Sequence, residues 1–265
     1  LDALTSGDYN VAIGYQAGTA INSGTSNIAI GYNALSTEDT GDKSIAIGHN
    51  ALLQQNFDGD AFNVAIGHEA GKLIITGIQN VIVGGLAADA LTTGGGNVGI
   101  GDRALTAQNY NGSSYNVAVG TDAGLSVTTG QFSTIVGGLA GDAITTGISN
   151  VAIGYNALST EDTGQKNVAV GTNALATLNY DGDGNNVAVG YAALKVQNAG
   201  ANAYNVAVGY DAGKSVTTGV KNTIVGGLAG DAITTGGHNV AVGYQALSSD
   251  TVGWNNVAIG QDALR

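Results

Sequence analysis

The chain has 265 residues with a formal charge of −12, and it contains 44 glycines but no proline, methionine or cysteine. The absence of cysteine excludes a disulfide scaffold, and eight scattered Lys and Arg residues exclude the basic patch that nucleic-acid binding requires. No apolar run approaches the length of a membrane-spanning helix, so direct membrane insertion is not expected. The apolar residues are mostly Ala, Val, Ile and Leu, which predicts a thin core of small and branched side chains.

The main feature of the sequence is an internal repeat with the consensus Asn-Val-Ala-Ile-Gly. Its fifteen copies are separated by 17 residues ten times and by 19 residues four times. The copies begin at Asn10, Asn27, Ser44, Asn63, Asn80, Asn97, Asn116, Ser133, Asn150, Asn167, Asn186, Asn205, Asn222, Asn239 and Asn256. A unit this short cannot bury its apolar face alone, whereas stacked units cover one another and pair each strand with the next. The repeat therefore predicts an all-β fold, a parallel β-solenoid of about 15 coils.

The repeat extends over the whole chain, so we expect a single repeat domain at residues 1–265. Residues 1–9 read as the second half of a preceding coil, and the chain stops at Arg265, within its fifteenth coil. Solenoids usually carry polar caps at their ends, and no such cap is recognisable here. We therefore expect this domain to be a segment of a longer fibre.

Positions within a coil, counted from its first residue, predict which side chains share a face. Position 2, mostly Val, and position 4, Ile or Val, lie on one face of a strand, while the Asn, Ala and Gly of positions 1, 3 and 5 lie on the other. Gly at position 5 of every coil predicts a positive φ or a close backbone approach. A second Gly at position 15 of the 17-residue coils predicts two corners and two short strands per coil. The Asn at position 1 is expected to hydrogen-bond up and down the stack.

Three coils share a paired exchange at positions 3 and 6. The coils that begin at Asn80, Ser133 and Asn222 have Ile at position 3 and Gly at position 6, where Ala and Tyr are commoner. Compensating volumes are typical of a packed surface, so positions 3 and 6 are predicted to border one filled space. We expect the small-residue face that bears position 3 to be the contact along which chains associate.

The run Asn-Val-Ala-Ile-Gly-Tyr-x-Ala, at residues 10–17 and 150–157, resembles a known family of repeats. It is similar to the head repeat of YadA-like trimeric autotransporter adhesins and to related tail-fibre repeats of bacteriophages, although those adhesin heads have somewhat shorter coils. The resemblance covers nearly the whole chain. It implies a left-handed β-roll, a homotrimer of parallel chains, and an extracellular location on a bacterial surface or a virion tail fibre. It also implies attachment to a host-cell surface, glycan or matrix receptor.

The four 19-residue coils place their two extra residues in the second half of the coil. Exposed aromatic residues on such loops are candidate receptor or glycan contacts. The candidates are Phe57, Phe62, Tyr110, Tyr115, Tyr180 and Tyr204. In the alternative interpretation, which we favour, these rings simply cover a bulge.

Two groups of side chains could bind a metal, although no metal or other cofactor is expected. Asp58 and Asp60, like Asp181 and Asp183, could offer oxygen ligands to calcium, but turn formation explains them better. His49 and His68 occupy position 6 of neighbouring coils and should stack about 5 Å apart. Surface packing is the expected role of this pair, and a zinc site is the less favoured alternative.

No constellation in the sequence predicts catalysis, so the protein is not expected to be an enzyme. Glycosidases need two carboxylates in different environments across a cleft, whereas the acidic pairs at residues 38–39 and 161–162 recur at one coil position and are predicted to be solvated turns. The sequence instead indicates a non-catalytic structural or adhesive segment of an extracellular trimeric fibre.

Two alternative functions remain open. A carbohydrate-active fibre would need a groove with two unlike carboxylates. A monomeric solenoid could instead bind a flat surface such as ice or mineral through Thr pairs at positions 13 and 14. These pairs are Thr92-Thr93, Thr128-Thr129, Thr145-Thr146, Thr217-Thr218 and Thr234-Thr235.

Overall fold

The computed structural model describes residues 1–265, which form a parallel β-solenoid of about fifteen turns with no helix. The strands are β1 Val11–Ile13, β2 Ile28–Ile30, β3 Ile45–Ile47, β4 Val64–Ile66, β5 Val81–Val83, β6 Val98–Ile100, β7 Val117–Val119, β8 Thr134–Val136, β9 Val151–Ile153, β10 Val168–Val170, β11 Val187–Val189, β12 Val206–Val208, β13 Thr223–Val225, β14 Val240–Val242 and β15 Val257–Ile259. The predicted all-β solenoid is confirmed. Since there is no helix, none is present that could cross a membrane.

The chain divides into two compact units, Leu1–Phe132 with β1–β7 and Ser133–Arg265 with β8–β15. Within each unit, a strand pairs in parallel with the strands before and after it in the chain. The register joins equal positions of successive coils, as in Val168 with Val187 and Val170 with Val189. A 17-residue coil and a 19-residue coil therefore present the same strand, and the longer coil absorbs its two extra residues elsewhere.

The alternation along each strand places the residue of position 3, which is small in most coils, inside and the branched residues of positions 2 and 4 outside. Ala46 of β3 is fully buried, whereas Ile45 and Ile47 on either side of it are partly exposed. Larger core side chains come from the second half of the coil, as does Ile74, which is fully buried in the same coil as Ala65 and Ala70. The prediction that chains associate along the face of position 3 is therefore wrong, because that face lines the interior of a single chain.

Gly at position 5 has both properties that its invariance predicts. Its φ lies between 120° and 143° in all fifteen coils, a region that side chains rarely adopt. A Cβ added at Gly154 would lie 2.7 Å from the carbonyl carbon of Gly171, the equivalent residue of the next coil. This position therefore requires glycine for two independent reasons.

The prediction of two strands per coil is wrong, because only positions 2–4 form a strand. After Gly154, the chain turns through left-handed residues at positions 7 and 9, where Asn156 has φ 58° and Leu158 has φ 53°. Alternating left-handed residues curl the backbone, so the second half forms turns instead of an extended segment. Only isolated bridges occur there, such as Asp42 with Asp60.

The Asn residues of position 1 form a buried ladder, as predicted. Asn222 accepts a hydrogen bond from the backbone N–H of Asn239 in the next coil, with N···Oδ1 3.0 Å. Its Nδ2 donates across its own coil to the carbonyl oxygen of Gly236 at 2.9 Å. The side chain therefore connects successive coils and also ties the strand to the opposite corner of its own coil.

The paired exchange at positions 3 and 6 has a different cause from the predicted shared space. Ile224, at position 3, is fully buried, whereas Gly227, at position 6, lies on the outer side, where an added Cβ would contact only the ring of Tyr244. Inside the coil, a Cβ at Gly230, at position 9, would lie 3.2 Å from Cδ1 of Ile224. Position 9 carries Leu in many coils, as Leu247 does in the coil with Ala241, whereas at Gly230 the same Cβ would also lie 2.9 Å from Cδ1 of Ile233. Ile224 and Ile233 therefore fill together the space next to position 9.

We expect Ile224→Ala to lower the free energy of unfolding by about 2 to 5 kcal/mol, because it opens a cavity around a fully buried side chain. The second change Gly230→Leu should restore part of this loss, since it recreates the commoner pairing of Ala with Leu. Gly227→Tyr should restore nothing. Urea denaturation of the three variants measures these values, and recovery with Gly227→Tyr would reinstate the original interpretation.

Candidate functional site

The most extensive candidate site is an apolar face formed by positions 2 and 4 of successive coils. We call it the Val/Ile face. It includes Val208, Val225 and Val242 at 37%, 37% and 36% exposure. Aligned branched side chains on a regular sheet form a flat surface, and a large exposed apolar surface marks an interaction site. The sequence pattern correctly separated this face from the small-residue face. The structure shows that the Val/Ile face points outward, whereas we expected the small-residue face to be the contact surface.

A ladder of exposed tyrosines at position 6 was not among the predicted sites. Neighbouring rings stack face to face, with centroids 5.3 Å apart for Tyr15 and Tyr32 and also for Tyr191 and Tyr210. The ladder comprises Tyr15, Tyr32, Tyr155, Tyr191, Tyr210 and Tyr244, which are 47% to 66% exposed. Because stacked rings cover the faces of their neighbours, the two stacked pairs present ring edges and hydroxyl groups to solvent, whereas Tyr155 and Tyr244 have no ring at position 6 of the adjacent coils.

Three of the six predicted aromatic contacts cover their own loops. Phe57, Tyr110 and Tyr180 are half-buried. A Cβ at Gly112 would lie 3.0 Å from the ring of Tyr110, and one at Gly182 would lie 2.7 Å from the ring of Tyr180. Each of these two rings therefore folds back over a glycine of its own loop. For these residues the structure agrees with the bulge-covering interpretation.

The other three predicted aromatic contacts point outward. Phe62, Tyr115 and Tyr204 are 47%, 57% and 48% exposed. Each is the last residue of its coil and has a left-handed φ of about 50°. The same position is left-handed in coils that end with Lys43 or Ser149, so this geometry belongs to the repeat and not to the aromatic residues. These three rings remain candidate receptor contacts.

The four aspartates considered for calcium have partners within the protein. Asp60 forms an ion pair with Lys43 at 2.7 Å, and Asp183 forms the equivalent ion pair with Lys166. Asp58 and Asp181 accept hydrogen bonds from the hydroxyl groups of Thr40 and Thr163 in the preceding coils. The two carboxylates of each loop therefore bind different partners, an arrangement that links the loop to the coil before it.

Glu38 and Glu161 are buried, so the prediction that these acidic turns are solvated is wrong for both glutamates. Glu161 accepts hydrogen bonds from the backbone N–H groups of Gly164 at 2.6 Å and Tyr180 at 3.3 Å. Glu38 accepts the equivalent bond from Gly41 and a further one from Gln55 Nε2. Each glutamate lies inside the coil before a 19-residue coil and satisfies amides of the longer loop.

Burial raises the pKa of Glu161 above its ordinary 4.5, although its backbone hydrogen bonds act in the opposite direction. A raised pKa in the folded state means that the ionised carboxylate costs stability at neutral pH and that this cost disappears as the group is protonated. As the pH falls from 7 towards 4.5, wild-type protein should therefore gain stability relative to Glu161→Gln. Urea denaturation at several pH values tests this, and identical pH profiles for the two proteins would contradict it.

The Thr pairs of positions 13 and 14 do not present two equivalent exposed rows. Thr217 is half-buried and its hydroxyl group donates to the carbonyl oxygen of Thr234, whereas Thr218 is exposed. Thr145 makes the equivalent bond to the carbonyl oxygen of Asp162. Where these bonds occur, the hydroxyl group of position 13 is directed at the next coil, which leaves position 14 as the outward row.

His49 and His68 stack with ring centroids 5.1 Å apart, which confirms the predicted spacing. The carboxylate of Glu69 lies beside them, a neighbour that the sequence analysis did not include.

No pocket forms on the surface of the chain. No protein-family model matches the sequence, and comparison with curated proteins finds no match.

Proposed function

We propose that this chain is a non-catalytic structural and adhesive segment of an extracellular fibre, in which three copies pack through their Val/Ile faces. The observation that carries the proposal is one regular face on which the branched residues of positions 2 and 4 are partly or fully exposed, apolar at both positions in all coils except two that have Thr at position 2. A second copy with the same repeat matches this surface, because its side chains recur at the same spacing along the strand-stacking direction.

The sequence resemblance supports three copies and an attachment role. In an adhesive fibre, the residues left outside the trimer contact the receptor, and Phe62, Tyr115 and Tyr204 are exposed aromatic residues suited to a glycan or protein surface. The fibre would stand on a bacterial surface or a virion tail and bind a host-cell surface, glycan or matrix component. The Thr-based alternative is less well supported, because hydroxyl groups at position 13 bond to neighbouring coils.

We expect native protein to have a mass of three chains by light scattering, with chemical crosslinks joining the copies. The double variant Val208→Glu and Val225→Glu should dissociate to monomers, because it places charges within the apolar contact. Thr218→Glu with Thr235→Glu is the matched control, since these exposed residues lie in the same two coils. A wild-type monomer, or equal dissociation of both variants, would overturn the proposed trimer.

Adhesion is tested separately from assembly. Replacement of Phe62, Tyr115 and Tyr204 by alanine should lower binding to immobilised host-cell glycans or matrix proteins by about 10-fold or more while the trimer remains intact. Replacement of the half-buried Tyr110 alone provides the control, because its ring lies over its own loop. Unchanged binding by the triple variant would remove these residues from the receptor surface.

A further inference from the structure

Two imidazoles and one carboxylate converge on the outer side of the coils that begin at Ser44 and Asn63. His49 and His68 occupy equal positions of these coils, and Glu69 follows His68. One ligand atom from each of the three lies within 4.8 Å of the other two. Two histidines and a glutamate form a donor set that holds zinc with one coordination position open. We propose that His49, His68 and Glu69 bind a divalent transition-metal ion of the zinc class and thereby staple the two coils together.

Metal binding requires a small closure of the cluster. With bonds of about 2.1 Å, the ligand atoms of a tetrahedral zinc site lie roughly 3.4 Å apart, so the present separations must shorten by at most about 1.4 Å. The two rings are parallel within 10°, and lone pairs in parallel ring planes cannot meet at one ion. At least one imidazole must therefore rotate, which the broad ring torsion of an exposed histidine permits.

The neighbouring coils leave room for His68 to make this rotation. His49 is covered on its other face by Tyr32, with ring centroids 5.1 Å apart. The column of stacked rings stops after His68, because the next coil has Gly85 at this position. A Cβ at Gly85 would contact only the carboxylate of Asp102. The outer face of His68 is therefore free of a stacked ring.

The charges around the cluster favour a cation. Glu69 brings its carboxylate beside the two imidazoles, and Lys72 Nζ lies 3.1 Å from Glu69 Oε1. Asp89 provides a second carboxyl group near Glu69. The Oδ1 atom of Asp89 is buried without a hydrogen-bond partner. Two donors compete with an ion for Glu69, because Lys72 Nζ and Asn50 Nδ2 both bond to its Oε1 atom, at 3.1 Å and 3.3 Å.

Calorimetric titration of the tag-free chain with zinc chloride alone tests the site. We expect one ion per chain, with affinity reduced about 10-fold or more by His49→Ala or by His68→Ala and less by Glu69→Gln. Lys72→Met should tighten binding, because it removes the charged competitor for the carboxylate. His238→Ala is the matched control, since the chain has three histidines and no cysteine. These replacements are at exposed or half-exposed side chains, so circular dichroism should show intact folds.

Imidazole resonances in NMR spectra provide a direct second readout. Zinc should shift the signals of two histidines and leave that of His238 unchanged. No heat of binding at about 100 µM zinc, equal shifts of all three histidines, or unchanged affinity in the His49→Ala and His68→Ala variants would overturn the site. One ion per three chains would also overturn it, because the ligands belong to one chain. The variant Val208→Glu and Val225→Glu should bind zinc normally, so failure of the trimer and failure of the metal site are distinguishable.

Discussion

Gly154→Ala is expected to lower the free energy of unfolding by at least about 3 kcal/mol, among the largest effects of any single substitution in this chain. Its φ of 126° is strained for alanine, and the new Cβ would lie 2.7 Å from the carbonyl carbon and 2.8 Å from the carbonyl oxygen of Gly171. Both atoms belong to the backbone of the next coil, which is held by a hydrogen bond from Gly171 N–H to the carbonyl oxygen of Ile153. The two backbones therefore cannot move apart to relieve this contact without breaking hydrogen bonds between the coils.

The control for this substitution is Gly200→Ala. Gly200 also has a positive φ, 61°, but a Cβ added there would have no neighbour within 4 Å. We expect it to cost about 1 to 2 kcal/mol, the strain of a left-handed alanine alone. Urea denaturation measures both values, and amide hydrogen exchange at Gly171 should accelerate only in the first variant. Equal destabilisation by the two substitutions would show that contact between coils does not explain the invariant glycine.

Asn222→Ala should lower the free energy of unfolding by about 2 to 5 kcal/mol, because it leaves two buried groups without a partner. These groups are the carbonyl oxygen of Gly236 and the backbone N–H of Asn239, which lie 2.9 Å and 3.0 Å from the side-chain atoms they bind. Neither group makes another hydrogen bond within the chain. A single side chain therefore supports hydrogen bonds both within its coil and to the next one.

A graded series tests this explanation of the Asn ladder. Asn222→Ser should retain part of the stability, because Ser133 shows that a hydroxyl group at this position accepts from the next coil, at 3.3 Å from the N of Asn150. Asn198→Ala, at an exposed residue, should change stability by less than about 0.5 kcal/mol. The explanation fails if Asn222→Ala and Asn198→Ala unfold at the same urea concentration.

The candidate sites were partly predictable from the sequence. The stacking of His49 on His68 follows from equal positions in parallel, in-register coils, because the strand spacing sets the distance between the rings. The carboxylate of Glu69 was missed, since an adjacent residue in an extended segment would point away. The left-handed backbone at Glu69, with φ 57°, is the feature that keeps it beside the rings.

The sequence by itself determined the repeat, the parallel pairing, the need for glycine at position 5 and the hydrogen-bonded Asn ladder. Each of these depends on a residue type that recurs with the period, and the period alone specifies which residues become neighbours.

Only the tertiary structure decided which face is the interior. Alternation separates Ala from Val and Ile on a strand, but both faces are apolar, so the pattern does not say which one the rest of the coil covers. The interior is filled from the second half of the coil, as by Leu158 and Ile74, and that space admits only a small residue from most strands. Burial of Glu161 was likewise decided by the amides of the next coil, which only the fold brings within reach.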